Sequence, residues 1–342
     1  MHTRPMNSLE SVSALTLGGG GLGQLWGETT RAECVATVHE AVDAGITLFD
    51  LAPLYGKGES ERVLGEAFQG GWDPTVRVTT KCQLGQREDE AVLPRLRENL
   101  ERSLDALGRD HVDLYFLHSN IIPDDYTFPD PAIAAVQDRF ATRERSYYDA
   151  VIPAFEALKA EGLIKAWGIT GIGYPPTVLR ALEATQRPAV VQVITNALNS
   201  AGDLNRFREP CQAGRIREAA NAAGVSVMGI RAVQGGALTA AFDRPMDEAG
   251  EDMADYRRAE GFRALAQRWG VDPADLAHRY ALCLPGVATV VLGIKNRQEL
   301  KAALAAEAAP PLTEEEKALV AEAVSQYNAL IRRIWGEITC LR

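Results

Sequence analysis

Four side chains in this sequence could together move a proton. Asp50, Lys81 and His118 each close a short apolar or β-branched run: Ile46-Thr47-Leu48-Phe49, Val76-Arg77-Val78-Thr79-Thr80, and the run from His111 to Leu117. Tyr55 lies in the loop after the first of them, GITLFDLAPLYGKGESERVLG. A free tyrosine has a pKa of ~10 and is a poor acid near neutrality. A neighbouring ammonium stabilises its phenolate and lowers that value, and a carboxylate keeps the ammonium charged and oriented. An imidazole can hydrogen-bond a carbonyl oxygen and assist the transfer. Singly, each residue has an ordinary explanation as a cap, a surface charge or a structural imidazole. As a set, they point to general acid/base chemistry on a carbonyl or hydroxyl. No metal set accompanies them, since His2, His39, His111 and His278 are scattered along the chain.

Such side chains must be held by elements that end at one edge. The strand-like runs alternate with helical ones: Glu33–Ala44, Glu59–Phe68, Asp89–Leu107, Tyr148–Glu161, Thr177–Ala184, Phe207–Ala223, Asp255–Arg268, Pro273–Leu284, Asn296–Ala306 and Thr313–Arg332. In the third of these, Leu93, Leu96, Leu100, Leu104 and Leu107 keep helical spacing. Further strand runs fall at Ala14–Leu17, Ile164–Ile169, Ala189–Ile194, Val225–Ile230 and Val287–Leu292. Most are continuously apolar, as strands covered on both faces should be. Eight such units predict a single (β/α)8 barrel, with the acid/base set at the carboxyl ends of the strands. A doubly wound sheet is the rival. The run Gly18–Gly23 fits G-x-G-x-x-G, but no helix opens on its last glycine. A close backbone approach to something flat is the better role. Two connections, 119–147 and 232–255, are too long for simple loops and are expected to overhang the barrel mouth. Residues 1–13 are polar and expected to form a loosely held tail.

The segments GITLFDLAPLYGKGESERVLG, TTKCQLG, VDLYFLHS and IKAWGIT occur in this order, and by them the chain resembles the aldo-keto reductases, NAD(P)-dependent barrels that interconvert carbonyls and alcohols. The resemblance runs from about Leu15 to Ala305. It implies Tyr55 as the general acid/base, Lys81 as the group that lowers its pKa, Asp50 as the partner of Lys81, and His118 as the residue that orients the carbonyl. It implies Thr170 and Gln192 at the nicotinamide carboxamide. Gly171 stands where many members have Asn, a Thr-Gly pair similar to the sugar-dehydrogenase branch, and leans towards a sugar or polyol substrate. Ile230, followed by Arg231, stands where many members stack a Tyr on the nicotinamide ring. The loop with Val233, Gly235 and Leu238 is similar to the one that wraps the pyrophosphate, and Gly21 and Leu22 fall in the first glycine turn. In VVLGIKNRQELKAAL, Gly293, Lys295 and Asn296 suit an anion at a helix start. The resemblance places Glu299 and Ala303 by the adenosine. A carboxylate there accepts from a 2′-hydroxyl and repels a 2′-phosphate, whereas Lys295 argues the other way. The family base rate leans slightly to NADP(H) over NAD(H). Trp26, Tyr126, Phe128 and Trp335 are candidate walls of the substrate pocket.

Composition bounds the alternatives. The 342 residues are 46% hydrophobic, enough for a sizeable core, and the formal net charge of −10 argues against nucleic acid as a partner. The five cysteines have neither zinc nor redox spacing and suit a reducing, cytoplasmic setting. No apolar run reaches the ~18 residues of a membrane span. Amphipathic outer helices clothe any barrel, so the pattern implies no oligomeric state. Two other functions stay open: a cofactor-binding regulatory subunit of the same fold, and a barrel isomerase or lyase using Lys81 as a Schiff-base nucleophile.

Overall fold

The computed structural model describes residues 1–325. Eight parallel strands close into a barrel: β3 (Leu15–Gly18), β4 (Leu48–Asp50), β5 (Arg77–Cys82), β6 (Val112–Leu117), β9 (Ile164–Thr170), β10 (Val190–Ile194), β11 (Ser226–Ile230) and β12 (Val287–Leu292), with β12 returning to β3. Every residue of β3, β4, β6 and β10 is buried, as the continuous apolar runs require. Helices follow the strands and cover the outside. The helix Asp89–Leu107 buries Val92, Leu96, Leu100, Leu104 and Leu107 on one stripe and stops at Gly108, whose left-handed φ of 64° suits a residue without Cβ. Leu93 lies at the edge of that stripe and is only partly buried.

Residues 1–13 are not a loose tail. They form an antiparallel hairpin of β1 (Thr3–Met6) and β2 (Glu10–Ser13). Met6, Leu9 and Val12 pack on Leu48, Leu114, Phe116, Val190 and Met228, so the hairpin plugs the amino-terminal end of the barrel. Arg4 ties it further by donating to the carbonyls of Val287 and Leu282. The tail's polar residues are the outward half of an alternating pattern, and its few apolar ones face the barrel.

The two long connections differ from each other. Segment 119–147 contains a small parallel sheet of β7 (Asn120–Ile122) and β8 (Ala141–Arg143). Segment 232–255 carries a 3-10 turn and the start of the helix Glu251–Arg258. A third long connection lies between β10 and the helix Ala213–Ala222, which begins six residues later than the apolar pattern suggested. The chain from Asn205 to Gln212 is irregular instead. The expected helix Asp255–Arg268 is two, Glu251–Arg258 and Glu260–Trp269, and 314–325 is helical. Among the described residues, no helix is long and apolar enough to cross a membrane.

Candidate active site

The carboxyl ends of β4, β5 and β6 bring Asp50, Lys81 and His118 together with Tyr55. Lys81 Nζ donates to Asp50 Oδ2 and to the carbonyl of Leu51, both at 2.8 Å. The pair is buried, with Lys81 1% and Asp50 2% exposed. A buried ion pair survives only if its remaining lone pairs are used, and removing one partner costs roughly 3–5 kcal/mol. Here Thr79 Oγ1 and Gln192 Nε2 donate to Asp50 Oδ1 at 2.6 and 2.7 Å. The Lys81 ammonium sits 4.8 Å from the centre of the Tyr55 ring, and the Tyr55 and His118 rings meet edge to face at 6.0 Å.

Burial opposes the Lys81 charge, but Asp50 and then Tyr55 outweigh it and raise its pKa. Burial raises the Tyr55 pKa, which the ammonium opposes and Asp50 reinforces. Tyr55 is therefore a protonated phenol next to a fixed cation. Burial, then the Lys81 charge, depress His118 to about 3, so its imidazole is neutral near pH 7. Its Nδ1 is buried, with no hydrogen-bond partner among the described residues.

These groups open into a cavity of about 690 Å³, lined by Tyr55 and His118 and running out to Lys295 and Glu299. That volume lies within the ~300–1,000 Å³ of small-molecule and cofactor sites. Gly18, Gly19 and Gly20 line it, and a Cβ on Gly21 would fall 1.6 Å from the Ile294 carbonyl oxygen. The glycine run is thus a close backbone approach, made to the end of β12 and not to a dinucleotide fingerprint. Trp26 lies across it, and the guanidinium of Arg244 sits 5.0 Å above the Trp26 ring.

Among the residues expected to hold a cofactor, Thr170, Gln192, Ile230, Arg231, Val233, Gly235, Gly293, Lys295, Glu299 and Ala303 line this cavity. Leu22 and Leu238 do not, for both are fully buried in hydrophobic clusters behind it. Gly21 and Gly171 also stand behind the surface. The Gly171 amide donates to the Gln192 carbonyl at 2.7 Å, and a Cβ there would meet that same oxygen. Asn296 caps the helix Arg297–Ala308 by accepting from the Glu299 amide at 2.8 Å, so its side chain is already used. Lys295 is not a free cation either: its Nζ contacts Asp243 Oδ2 and Glu299 Oε1 at 2.5 Å each.

Of the substrate walls, Trp26 lines the cavity. Tyr126 and Phe128 do not; they belong to an aromatic cluster with Phe140 and Phe207, ring centres 5.2–5.7 Å apart, that braces the loops from behind. Trp335 lies outside the described residues. The walls missed from sequence are Gln83, Asn120, Phe140, Leu204, Arg206 and Phe242. At the far end, Asp272, Asp275 and His278 were missed as well. Leu204 and Arg206 sit in the irregular connection after β10, whose length was the one available signal.

Residues 14–325 match the model of the aldo/keto reductase family. The chain is 27% identical to the oxidoreductase YqkF of Bacillus subtilis, over 86% of this chain and 89% of that one. It is 29% identical to an NADH-specific methylglyoxal reductase of Escherichia coli and 32% to an L-galactose dehydrogenase of Arabidopsis thaliana. Those two matches span 44% and 47% of this chain and 45% of each relative. Its fold is similar to that of a glycerol dehydrogenase from Gluconobacter oxydans, with a TM-score of 0.68, 22% identity and 95% of both chains covered. It is equally similar to a holo aldo-keto reductase from Bacillus halodurans, with a TM-score of 0.68, 24% identity, and 94% and 96% covered. With nearly its whole length matched and its strands closed into the corresponding barrel, the chain belongs to the aldo-keto reductase family of NAD(P)(H)-dependent oxidoreductases.

Proposed function

We propose that Tyr55, Lys81, Asp50 and His118 catalyse the interconversion of a small carbonyl and its alcohol. The observation that carries this reading is the buried Asp50–Lys81 pair, its ammonium 4.8 Å from the centre of the Tyr55 ring that lines the cavity. Bound in the cleft, the nicotinamide cofactor supplies the hydride for the carbonyl carbon, or accepts it in the reverse direction. The Tyr55 hydroxyl gives its proton to the carbonyl oxygen, and the phenolate left behind is held by the Lys81 ammonium. Asp50 accepts from the Lys81 ammonium and keeps it in place. Neutral His118 donates its ring N–H to the carbonyl oxygen without competing as an acid. Gln192, tied to Asp50, keeps its amide oxygen for the nicotinamide carboxamide. The substrates named for the relatives, methylglyoxal, L-galactose and glycerol, support a small polar carbonyl or alcohol.

The nucleotide is NAD(H) in this reading. The helices Pro273–Leu282 and Arg297–Ala308 pack side by side and line the far end of the cavity. Asp272, Asp275 and Glu299 project there, with Asp243 from the facing loop, against Lys295 and Arg244. A 2′-phosphate meets net negative charge, and the one lysine among the described lining residues is already held by two carboxylates. A ribose 2′-hydroxyl can instead donate to Glu299. His278, buried and with no hydrogen-bond partner among the described residues, is neutral near pH 7 because burial depresses it to about 4, and it is suited to reading the adenine edge.

The test is a titration with NADH and NADPH followed by tryptophan fluorescence, then addition of aldehydes to the bound complex, on the wild type and on Tyr55→Phe. Trp26 lines the cleft, so binding should change its emission. Tyr55→Phe is expected to slow carbonyl reduction by the ~10²–10⁴ of a general acid while cofactor affinity stays near wild type. Undiminished turnover by Tyr55→Phe would remove Tyr55 from the mechanism.

A further inference from the structure

Among the described residues, four cations line the cavity. Arg231 Nη2 is paired with Asp252 at 2.7 Å, Lys295 with Asp243 and Glu299, and Arg244 with Asp243 at 3.4 Å. Arg206 alone has no carboxylate partner and no hydrogen bond among the described residues. Its guanidinium sits over the Phe140 ring, 4.1 Å from the ring centre, a cation–π contact that holds it without neutralising it. Phe140 is anchored twice. Its ring packs into the aromatic cluster with Phe128, and its carbonyl accepts from the Asn120 amide at 2.8 Å. Asn120 follows His118 by two residues, and both line the cavity. The unpaired cation is therefore tied, through Phe140 and Asn120, to the strand end that carries His118. Burying part of a guanidinium without a counter-charge is costly, and burial does lower the Arg206 pKa. A protein gains from that arrangement when a ligand brings the counter-charge.

We propose that the physiological carbonyl substrate carries an anionic group, a carboxylate or phosphate ester, which pairs with Arg206 while the carbonyl lies at Tyr55 and His118. This rests on the reductase reading above and deepens it. The planar guanidinium offers a forked pair of N–H donors to either anion, and Gln83 adds a neutral amide to the lining of the same cavity.

The experiment compares matched aldehydes on the holoenzyme: succinic semialdehyde against butanal for the carboxylate, and glycolaldehyde phosphate against glycolaldehyde for the phosphate ester. The expected result is a kcat/KM preference for at least one anion, expressed mainly in KM. Arg206→Gln should reduce that preference about 10- to 100-fold, the loss of one charge-assisted contact, with Arg206→Lys restoring part of it. Melting curves of both variants establish that the fold is intact. The pair whose preference collapses identifies the anion. Equal kcat/KM for charged and neutral aldehydes, or a preference that Arg206→Gln leaves intact, would overturn the proposal while the reductase reading stood. Should no aldehyde be reduced, the reductase reading fails instead. Calorimetric binding of succinate and inorganic phosphate to the cofactor complex then decides the anion site: binding of either that is lost in Arg206→Gln supports it, and no binding of both overturns it.

Discussion

Replacing Glu299 by Gln should shift nucleotide preference towards NADPH, and its size can be worked from the geometry. Glu299 Oε1 holds Lys295 Nζ at 2.5 Å while Oε2 accepts from the Lys295 amide at 3.0 Å. The side chain is 35% exposed, so its field is partly screened. For a phosphate charge about 6 Å away and an effective dielectric of about 40, Coulomb's law gives ~1.4 kcal/mol per unit charge. A 2′-phosphate carries one to two charges, so removing the carboxylate should improve NADPH relative to NADH by roughly 10- to 100-fold. The amide oxygen can still accept from the Lys295 backbone, so the helix start is kept. Lys295 meanwhile loses one of two competing carboxylates and becomes freer to meet a phosphate, which acts in the same direction. The assay is the ratio of the two dissociation constants, read by tryptophan fluorescence at low and high salt. Screening should compress the shift as salt rises. A ratio unmoved by Glu299→Gln, or a wild type that binds NADPH more tightly than NADH, would refute the reasoning.

Two other outcomes follow from the buried groups. His118 and His278 have folded pKa values of about 3 and about 4, below the unfolded value, so the unfolded chain takes up protons first. Stability should be complete above about pH 6.5 and fall on acidification by up to ~2.7 kcal/mol per pH unit from the two together, until about pH 4 where only His118 continues. Urea midpoints between neutrality and about pH 5 measure this; a slope that His278→Gln leaves unchanged would show that His278 does not contribute. Phe128 packs in a cluster and lines no part of the cavity, so Phe128→Ala should cost roughly 3–5 kcal/mol of stability by the usual cavity penalty. Its KM for a neutral aldehyde such as butanal should stay near wild type; a large rise in that KM with an unchanged melting temperature would restore Phe128 to the pocket wall.

The barrel was legible in the sequence because its strands are buried on both faces and read as continuous apolar runs. The acid/base set was legible because three strands each end on an ionisable residue. Other features of the site depend on which residues from distant segments meet in space. Thr79 and Gln192 complete Asp50 from β5 and β10, and nothing in either segment marks them as its partners. The hairpin of residues 1–13 was hidden because a two-stranded plug has too few apolar residues to register as a strand pattern. Tyr126 and Phe128 were misread because an aromatic in a long loop looks the same whether it faces the cavity or braces the loop from behind.

Arg206 and Lys295 show why pairing matters more than residue type at such a site. Both are cations on the cavity wall, and by sequence only Lys295 drew notice as an anion contact. With Asp243 and Glu299 each at 2.5 Å, however, Lys295 has little charge left for a ligand. Arg206 rests on an aromatic ring that orients it without neutralising it. Charge available to a ligand is what the protein leaves uncompensated, so the proposed nucleotide site is acidic and the proposed substrate site basic. That polarity makes the two preferences separable: Glu299→Gln should change the ratio of NADPH to NADH affinity and leave the ratio of anionic to neutral aldehydes untouched, and Arg206→Gln should do the reverse. A single substitution that moved both ratios would mean that the two sites are not independent, and the division of the cavity argued from these ion pairs would fail.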